Sequence, residues 1–386
     1  MKKLAIIGSG EFQEPLILKS KQLGCETHVF SLKNKTKGED EADFFYDIDV
    51  LNKDEILKIC KNLKIDGITT IASDITTKTV VYVAEKLGLV SNSSQCLEKS
   101  TDKYKMRKAF QEKGLLVPKF YLIQKNENIK NILDEIKELN YPIIVKPTDR
   151  AGSRGVTEVN NIKDLQSAID YAKGESLAGN TIIEEYIEGE EYSCECISKG
   201  GKHTRLAFTK KFTTGYPNFI ETGHIQPVHF DNEKKIEQII FKALDSLEIT
   251  NGASHTEFKI TPNNEIKVIE VGARMAGDCI GSHLVELSTG IDYIKLVIDI
   301  ALGNPIKIKP VKNISNYYGI KFICNENDYN LYEFIKKNNK NIIMAESKNI
   351  IHKNLKVTDS SSRSGWYIIR TNNKKTIQDI FFKECY

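Results

Sequence analysis

The first hundred residues alternate short apolar runs with helical periods, and this alternation constrains the fold more than any other feature. The run LAIIG at 4–8 reads as a buried strand, followed by a helix through Leu16, Ile17, Leu18 and Leu23 that ends at Gly24. A second strand is expected at 27–32, a helix at 54–63, a strand at 66–72, and a helix at 76–87 closed by Gly88. Strands alternating with helices in this way imply βαβ units and a parallel sheet. A short helix at 102–113, with Met106 and Phe110 four apart, ends at Gly114 and Pro118, and the pattern then changes. Strands are expected at 120–123, 143–146, 156–159, 181–185, 192–197 and 205–212, with helices at 128–139, 162–172 and 234–246. Two more strands, 253–260 and 265–271, are joined by Thr261-Pro-Asn-Asn264, which has hairpin turn chemistry. The fold class is therefore α/β followed by an α+β module. Helices at 280–288 and 292–302 precede a tail rich in Lys, Asn and Ile, with candidate strands at 318–324 and 366–370.

Composition narrows the function. With 386 residues and 40% hydrophobic content, the chain can form about two or three domains. Charged residues make up 28% but nearly cancel to a net +3, which disfavours a large basic face for nucleic acid. Lys2 and Lys3 precede an apolar run as in a secretory signal, but the run stops at Gly8, so a first strand fits better. No apolar stretch approaches the ~18–20 residues that span a bilayer, so no membrane partner is expected. None of the eight cysteines forms a C-x-x-C pair, and Cys194 and Cys196 alternate within a strand as small buried side chains do. Unpatterned cysteines fit a reducing compartment, and the expected location is the cytoplasm.

Three segments carry chemistry. In Ser254-His-Thr-Glu-Phe-Lys-Ile260 and Lys267-Val-Ile-Glu-Val-Gly-Ala-Arg274, Glu257 and Glu270 lie near facing ends of adjacent strands. Glu270 ends an apolar run and is costly to bury alone. Two converging carboxylates repel unless a cation lies between them, and Mg²⁺ takes carboxylate and phosphate oxygens. Arg274 reaches the same place. The plainer alternative is two solvent-facing glutamates on an ordinary hairpin. In Tyr141-Pro-Ile-Ile-Val-Lys-Pro147, Lys146 ends an apolar strand and is expected to point its ammonium out of the sheet end, as phosphate-binding lysines do. The following loop holds Gly152, Ser153 and Gly155, and its glycines permit φ > 0 and exposed N–H groups over phosphates, unless it is simply a turn. In Thr181-Ile-Ile-Glu-Glu-Tyr-Ile-Glu-Gly-Glu-Glu191, a connector backbone can read adenine and a carboxylate can accept from ribose hydroxyls, the alternative being an acidic surface turn.

Taken in order, GSGEFQEPLILKSKQLG, TDKYKMRKAF, YPIIVKP, the glycine-rich loop, IIEEYIEGEEY and TEF…VIEVGAR resemble the ATP-grasp superfamily over roughly residues 1–305. The resemblance implies a Rossmann-like pre-ATP-grasp domain at 1–100, an ATP-grasp domain at 101–305 with a small lid-type subdomain within 101–185, and a strand-rich C-terminal cap at 306–386. It places Lys103 and Lys146 on ATP phosphates under a loop of Gly152, Ser153 and Gly155. It makes Glu184, Glu185, Tyr186 and Ile187 the adenine hinge, and Glu191 the ribose partner. Glu257 and Glu270 would hold Mg²⁺, with Mn²⁺ as a substitute, and Arg274 would face the tetrahedral intermediate. One departure matters: Gly272 stands where many members carry a metal-ligating Asn. The stretch EVGARMAGDCIGSHLVELSTGID and the Glu221-Thr-Gly-His224…Pro227 pattern look like the amino-acid ligase group, which places Glu221, His224, Arg274 and His283 near the acceptor pocket. The implied activity is that of an ATP-dependent carboxylate–amine ligase, which forms an amide, peptide-like bond through an acyl phosphate and releases ADP and phosphate, with an amino acid as the expected substrate. A homodimer is the assembly the superfamily suggests. Alternatives are a purine-pathway-type enzyme activating formate or bicarbonate, a non-catalytic nucleotide-binding protein, and a dinucleotide-dependent oxidoreductase read from Gly8-Ser-Gly10. The last lacks the full G-x-G-x-x-G spacing.

Overall fold

In β1 (Lys3–Ile7), period-two alternation sends Ala5 and Ile7 to one face and Leu4 and Ile6 to the other, all without solvent exposure. A strand buried on both faces needs cover on both, and helices supply it. The computed structural model describes residues 1–127, 129, 136, 139–216, 219–309, 315–339, 342–347 and 357–382. β1 pairs in parallel with β2 (Glu26–Ser31) and, on its other side, with β4 (Gly67–Thr69), while β3 (Phe44–Asp47) extends the β2 edge. Ile56 and Cys60 of the helix Lys53–Leu63 and Val83 and Ala84 of the helix Asp74–Leu87 cover one face. Leu16 and Ile17 of Glu14–Gln22 pack into the other core together with Ile294 and Val297 of Tyr293–Ala301. The edge strand β3 was not expected from the sequence, because Phe44-Phe-Tyr-Asp47 is too exposed to show a buried period. The strand expected at 66–72 is shorter, and its remainder becomes the loop carrying Ala72 into the cavity.

A second, antiparallel sheet is formed by β5 (Phe120–Ile123), β6 (Ile143–Pro147), β7 (Thr157–Val159) and β8 (Thr181–Glu185), in the order β5-β8-β6-β7. Leu165, Ala168, Ile169 and Ala172 of the helix Leu165–Glu175 fill its core at helical spacing. The helix expected at 128–139 lies mostly outside the described residues.

The third sheet comprises β9 (Glu190–Lys199), β10 (Lys202–Thr213), β11 (Glu221–Gln226), β12 (Gly252–Ile260), β13 (Ile266–Gly272), β14 (Tyr317–Phe322), β15 (Ile343–Glu346) and β16 (Trp366–Thr371). Its order is β13-β12-β9-β10-β11-β14-β16-β15, antiparallel throughout. The tail therefore does not stand apart as a cap. Its strand β14 pairs with β11, so the last three strands continue the sheet that carries the Glu257–Glu270 hairpin. The physical reason is a free β11 edge: its N–H and C=O groups need partners, and Tyr318–Lys321 supply them. The helix expected at 280–288 begins as a wide π-type turn, Ile280–Leu284, and continues as Val285–Thr289.

Candidate functional site

A cavity of about 510 Å³ is lined by residues of the second and third sheets and by residues that follow β1 and β4 of the first, Phe12 and Ala72–Asp74 among them. At one end Lys146 is buried at 7% exposure, so it does not point out of the sheet end as expected; its ammonium donates to Glu184. A buried ammonium needs a partner to stay charged, and Glu184, on the adjacent strand two residues along from Ile182 opposite Lys146, is the available one. The fully buried Arg107 donates to the same carboxylate through Nε at 3.0 Å. Burial alone would raise the Glu184 carboxyl, but Arg107 and Lys146 outweigh it and hold it at about 2. Burial, with the positive charges of Arg107 and Lys103 nearby, holds Lys146 below its ordinary value. Glu184, expected in the adenine hinge, lines the cavity but sits within β8 between β5 and β6, with its carboxylate turned to these cations. Glu185, Tyr186 and Ile187 do line the cavity. Lys259, unnoticed in the sequence, ties the hinge down by donating to the Ile187 carbonyl at 3.0 Å, with its ammonium 4.7 Å from the Tyr186 ring centre.

Lys103 begins the helix Lys103–Glu112, whose N-cap Asp102 accepts from Lys105 N. Its ammonium reaches Glu270 Oε1 at 2.8 Å and the Arg150 carbonyl of the glycine-rich loop at 2.7 Å. In that loop Gly152 and Gly155 take φ of +69° and +71°, the left-handed geometry their lack of Cβ permits. Ser153 joins them at +59° and bonds the Phe219 carbonyl at 2.9 Å.

Glu257 and Glu270 are direct partners across β12 and β13. Strict alternation from the turn would instead oppose Glu257 to Ile269. The register shifts after Phe258↔Val268, and this bulge brings Glu270 onto the cavity face. Along β12 the residues His255, Glu257 and Lys259 face the cavity, opposite Glu195, Ser193 and Glu191 of β9. Lys211 of β10 donates to Glu257 and lies 3.5 Å from Glu191 and 3.7 Å from Glu221. His255 bridges the fully buried Glu195 at 2.6 Å and Glu257 at 3.2 Å. Burial opposes its charge, but the two glutamates raise it to about 9, so His255 is a cation at neutral pH. Against the effect of burial, Lys211 and His255 hold Glu257 well below the usual carboxylate range. Burial raises Glu191. The Glu191/Ser193/Glu195 alternation with Tyr192, Cys194 and Cys196 was a legible signal of this polar face.

The donor set suits a hard cation: two carboxylates on one face, each already drawing an ammonium. Among the described residues no group of three or more His, Cys, Asp or Glu is arranged to hold a metal. The remaining ligands of a cation here would thus be phosphates and water. Gly272 has its own reason. A Cβ there would lie 3.1 Å from the Arg274 guanidinium carbon, so the missing side chain gives Arg274 its place. Arg274 in turn makes a bidentate pair with Asp74 (both 2.9 Å), from the first turn of the helix Asp74–Leu87. Asp74 was missed in the sequence; its position after a parallel strand's C-terminal end, where ligands gather in such sheets, was the available hint.

At the other end Glu221 and His224 project from β11. His224 is 1% exposed, neither ring nitrogen has a hydrogen bond, and Nε2 is 3.8 Å from Asp278. Burial lowers its pKa, so it is neutral at physiological pH. Asp278 and Cys279 hold φ of +51° and +58°, a strained stretch at the cavity wall. His283 does not line the cavity; its ring lies 5.8 Å from that of Trp366 and Nδ1 bonds Ser282. The π-type turn carries it away from the pocket that a regular helix was expected to give it.

Residues 139–282 match the family model for the ATP-grasp domain. The chain is 31% identical over 271 residues to the alanine–anticapsin ligase of Bacillus subtilis, an alignment covering 64% of this chain and 56% of that protein. It therefore spans little more than half the length of that relative. Among solved structures it is similar to an L-amino acid ligase from Bacillus licheniformis, with a TM-score of 0.82 and 21% identity, covering 100% of this chain and 97% of the other. An N5-carboxyaminoimidazole synthetase from Staphylococcus aureus complexed with ADP has a TM-score of 0.80 at 17% identity, over 100% and 97% of the two chains.

Proposed function

We propose that this chain, which carries an ATP-grasp domain within an ATP-grasp fold, is an ATP-dependent carboxylate–amine ligase that joins two amino acids through an acyl phosphate. One observation carries the reading. A single cavity holds the buried Lys146, the Glu185–Tyr186–Ile187 connector, the facing pair Glu257 and Glu270, and the Arg274 guanidinium. In this proposal Lys103 and Lys146 bind ATP phosphates, the glycine-rich loop covers them, the connector backbone reads adenine, and Glu191 accepts from ribose. Mg²⁺, or Mn²⁺ in its place, held by Glu257 and Glu270 would neutralise phosphate charge as the substrate carboxylate attacks the γ-phosphate. Arg274, held by Asp74, offers its charge to the oxyanion formed when the amine attacks the acyl group. Glu221 and the neutral His224 orient the amine, and the closed loop keeps water from the mixed anhydride.

The 31% identity to alanine–anticapsin ligase supports amino acids as substrates over the purine-type alternative; a formate-dependent phosphoribosylglycinamide formyltransferase of Bacteroides fragilis aligns at 24%. No helix among the described residues is long and apolar enough to cross a membrane. The described cysteines are free and buried, which supports the cytoplasm as the place of action. The homodimer suggested by the superfamily belongs to this proposal. The test is release of ADP and phosphate on incubation with Mg-ATP, L-alanine and each other common amino acid in turn. Turnover that needs one such pair supports the reading. No nucleotide consumption with any pair would overturn it.

A further inference from the structure

Resting on the ligase reading, we propose that Ser360 and Arg363, from the C-terminal segment, are positioning residues for the reaction: they fix the acidic wall at the amine end and seat the glycine-rich loop on it. The residues leading into β16 border the cavity, where Ser360, Ser361 and Arg363 join its lining. The short turn Ser360–Ser362 is capped by Asp359, whose side chain accepts from the Ser361 and Ser362 amides.

Arg363 is fixed on all sides. Its two terminal nitrogens reach Asp278 at 3.0 and 2.7 Å, one of them also reaches the Glu221 carbonyl at 3.3 Å, and Nε bonds the Ser360 carbonyl at 2.7 Å. Its guanidinium lies 3.7 Å from the Phe322 ring centre. With its side chain 7% exposed and four of its five N–H donors bonded to the framework, Arg363 acts on the wall of the cavity. It holds Asp278 in the strained left-handed stretch beside His224, and neutralises a carboxylate that would otherwise be left unpaired in the wall. Ser360 fixes Glu221 by donating to Oε2 at 2.5 Å, while the opposite charge comes from Lys211 at 3.7 Å.

The other side of Ser360 meets the loop. A methyl group placed on Gly152 would lie 3.6 Å from the Ser360 Cβ and 3.9 Å from its Oγ, so the bare glycine leaves the loop about one methyl group away from this serine, within reach of closing onto it. The adjoining Ser153 bonds the Phe219 carbonyl, two residues before Glu221. One side chain thus bonds a carboxylate of the amine end and faces the loop that would cover the phosphates. Closure of the loop over nucleotide and the arrangement of the amine end are set by the same contacts, which links shielding of the activated acyl group to the site that receives the amine.

The experiment is hydrogen–deuterium exchange of the peptide spanning residues 149–155, with and without the non-hydrolysable analogue Mg-AMP-PNP. In the wild-type protein the nucleotide slows exchange by at least about tenfold, the scale on which local opening is read. In Ser360→Ala and Arg363→Ala the slowing falls below about threefold. The dissociation constant for the analogue, measured by equilibrium dialysis, stays within about threefold, because neither residue is among those proposed to bind the phosphates. This split separates a seat for the loop from a general loss of structure. Ser360→Ala removes one hydroxyl and keeps the test valid if Arg363→Ala does not fold. Full protection in Ser360→Ala, or no protection in a wild-type protein that binds the analogue, overturns this inference alone. A wild-type protein that binds no nucleotide overturns the ligase reading and this inference with it.

Discussion

Glu184 shows how one residue can serve stability and site at once. Two buried cations share its carboxylate, so Glu184→Gln leaves them uncompensated at a cost of about 3–5 kcal/mol, read as a lower Tm. Its folded pKa is depressed from 4.5 to about 2, so its contribution is complete above pH 4.5 and is lost as pH falls through that interval. The Tm gap between wild type and Glu184→Gln should accordingly narrow from pH 5 downward; a gap that widens in acid would contradict the assignment. For Lys146→Ala we expect nucleotide affinity or turnover to fall by about 10²-fold, the usual loss for a charge clamp in a water-poor site. Rates and affinity within twofold of wild type would make Lys146 a purely structural partner of Glu184. Glu270→Gln should abolish turnover while leaving the Tm close to wild type, because its carboxylate is partly exposed and its one ammonium partner, Lys103, keeps the Arg150 carbonyl.

At the scale of elements, the site depends on departures from regular geometry. The bulge in β13 is one, since it sets Glu270 opposite Glu257. The connector from β8 to β9 is another. Gly189 has φ of +139°, and a Cβ there would lie 2.3 Å from the Ile260 carbonyl oxygen. Gly189→Ala therefore forces the hinge away from the hairpin carrying Glu257, with an expected destabilisation of about 1–3 kcal/mol and weaker nucleotide binding, both measurable by thermal unfolding with and without ATP. An unchanged Tm shift on adding ATP would show that the hinge does not read the base.

For the whole molecule, the order of parts along the cavity makes a chemical prediction. The lysines, the loop and the facing glutamates gather at one place, and the proposed attack there is on the γ-phosphate. Spent nucleotide should be ADP, matched by phosphate, and hydroxylamine should trap the activated acyl group as a hydroxamate when the amine is withheld. Chromatography that finds AMP and pyrophosphate would sink the acyl-phosphate mechanism. The same view of the molecule explains why the tail matters: with β14 on the β11 edge, strands far apart in sequence become one sheet, and the turn between β15 and β16 can reach Asp278 and Glu221.

Much of this was legible in the chain before any coordinates. The parallel first layer followed from the alternation of short apolar runs with helical periods, because a period of two and a period of 3.6 bury different faces. The hairpin of Glu257 and Glu270, the lysine closing YPIIVK and the glycines of the loop could be read for the same reason: each is a local pattern, fixed by backbone stereochemistry within a few residues. What the tertiary structure alone decided is long-range. The pairing of Lys146 and Arg107 with Glu184, of Arg274 with Asp74 across 200 residues, and of Arg363 with Asp278 depends on which charges burial brings together. A buried charge takes the partner within reach, and reach is set by sheet order and register. Those arise from the packing of the whole chain, which no local window contains.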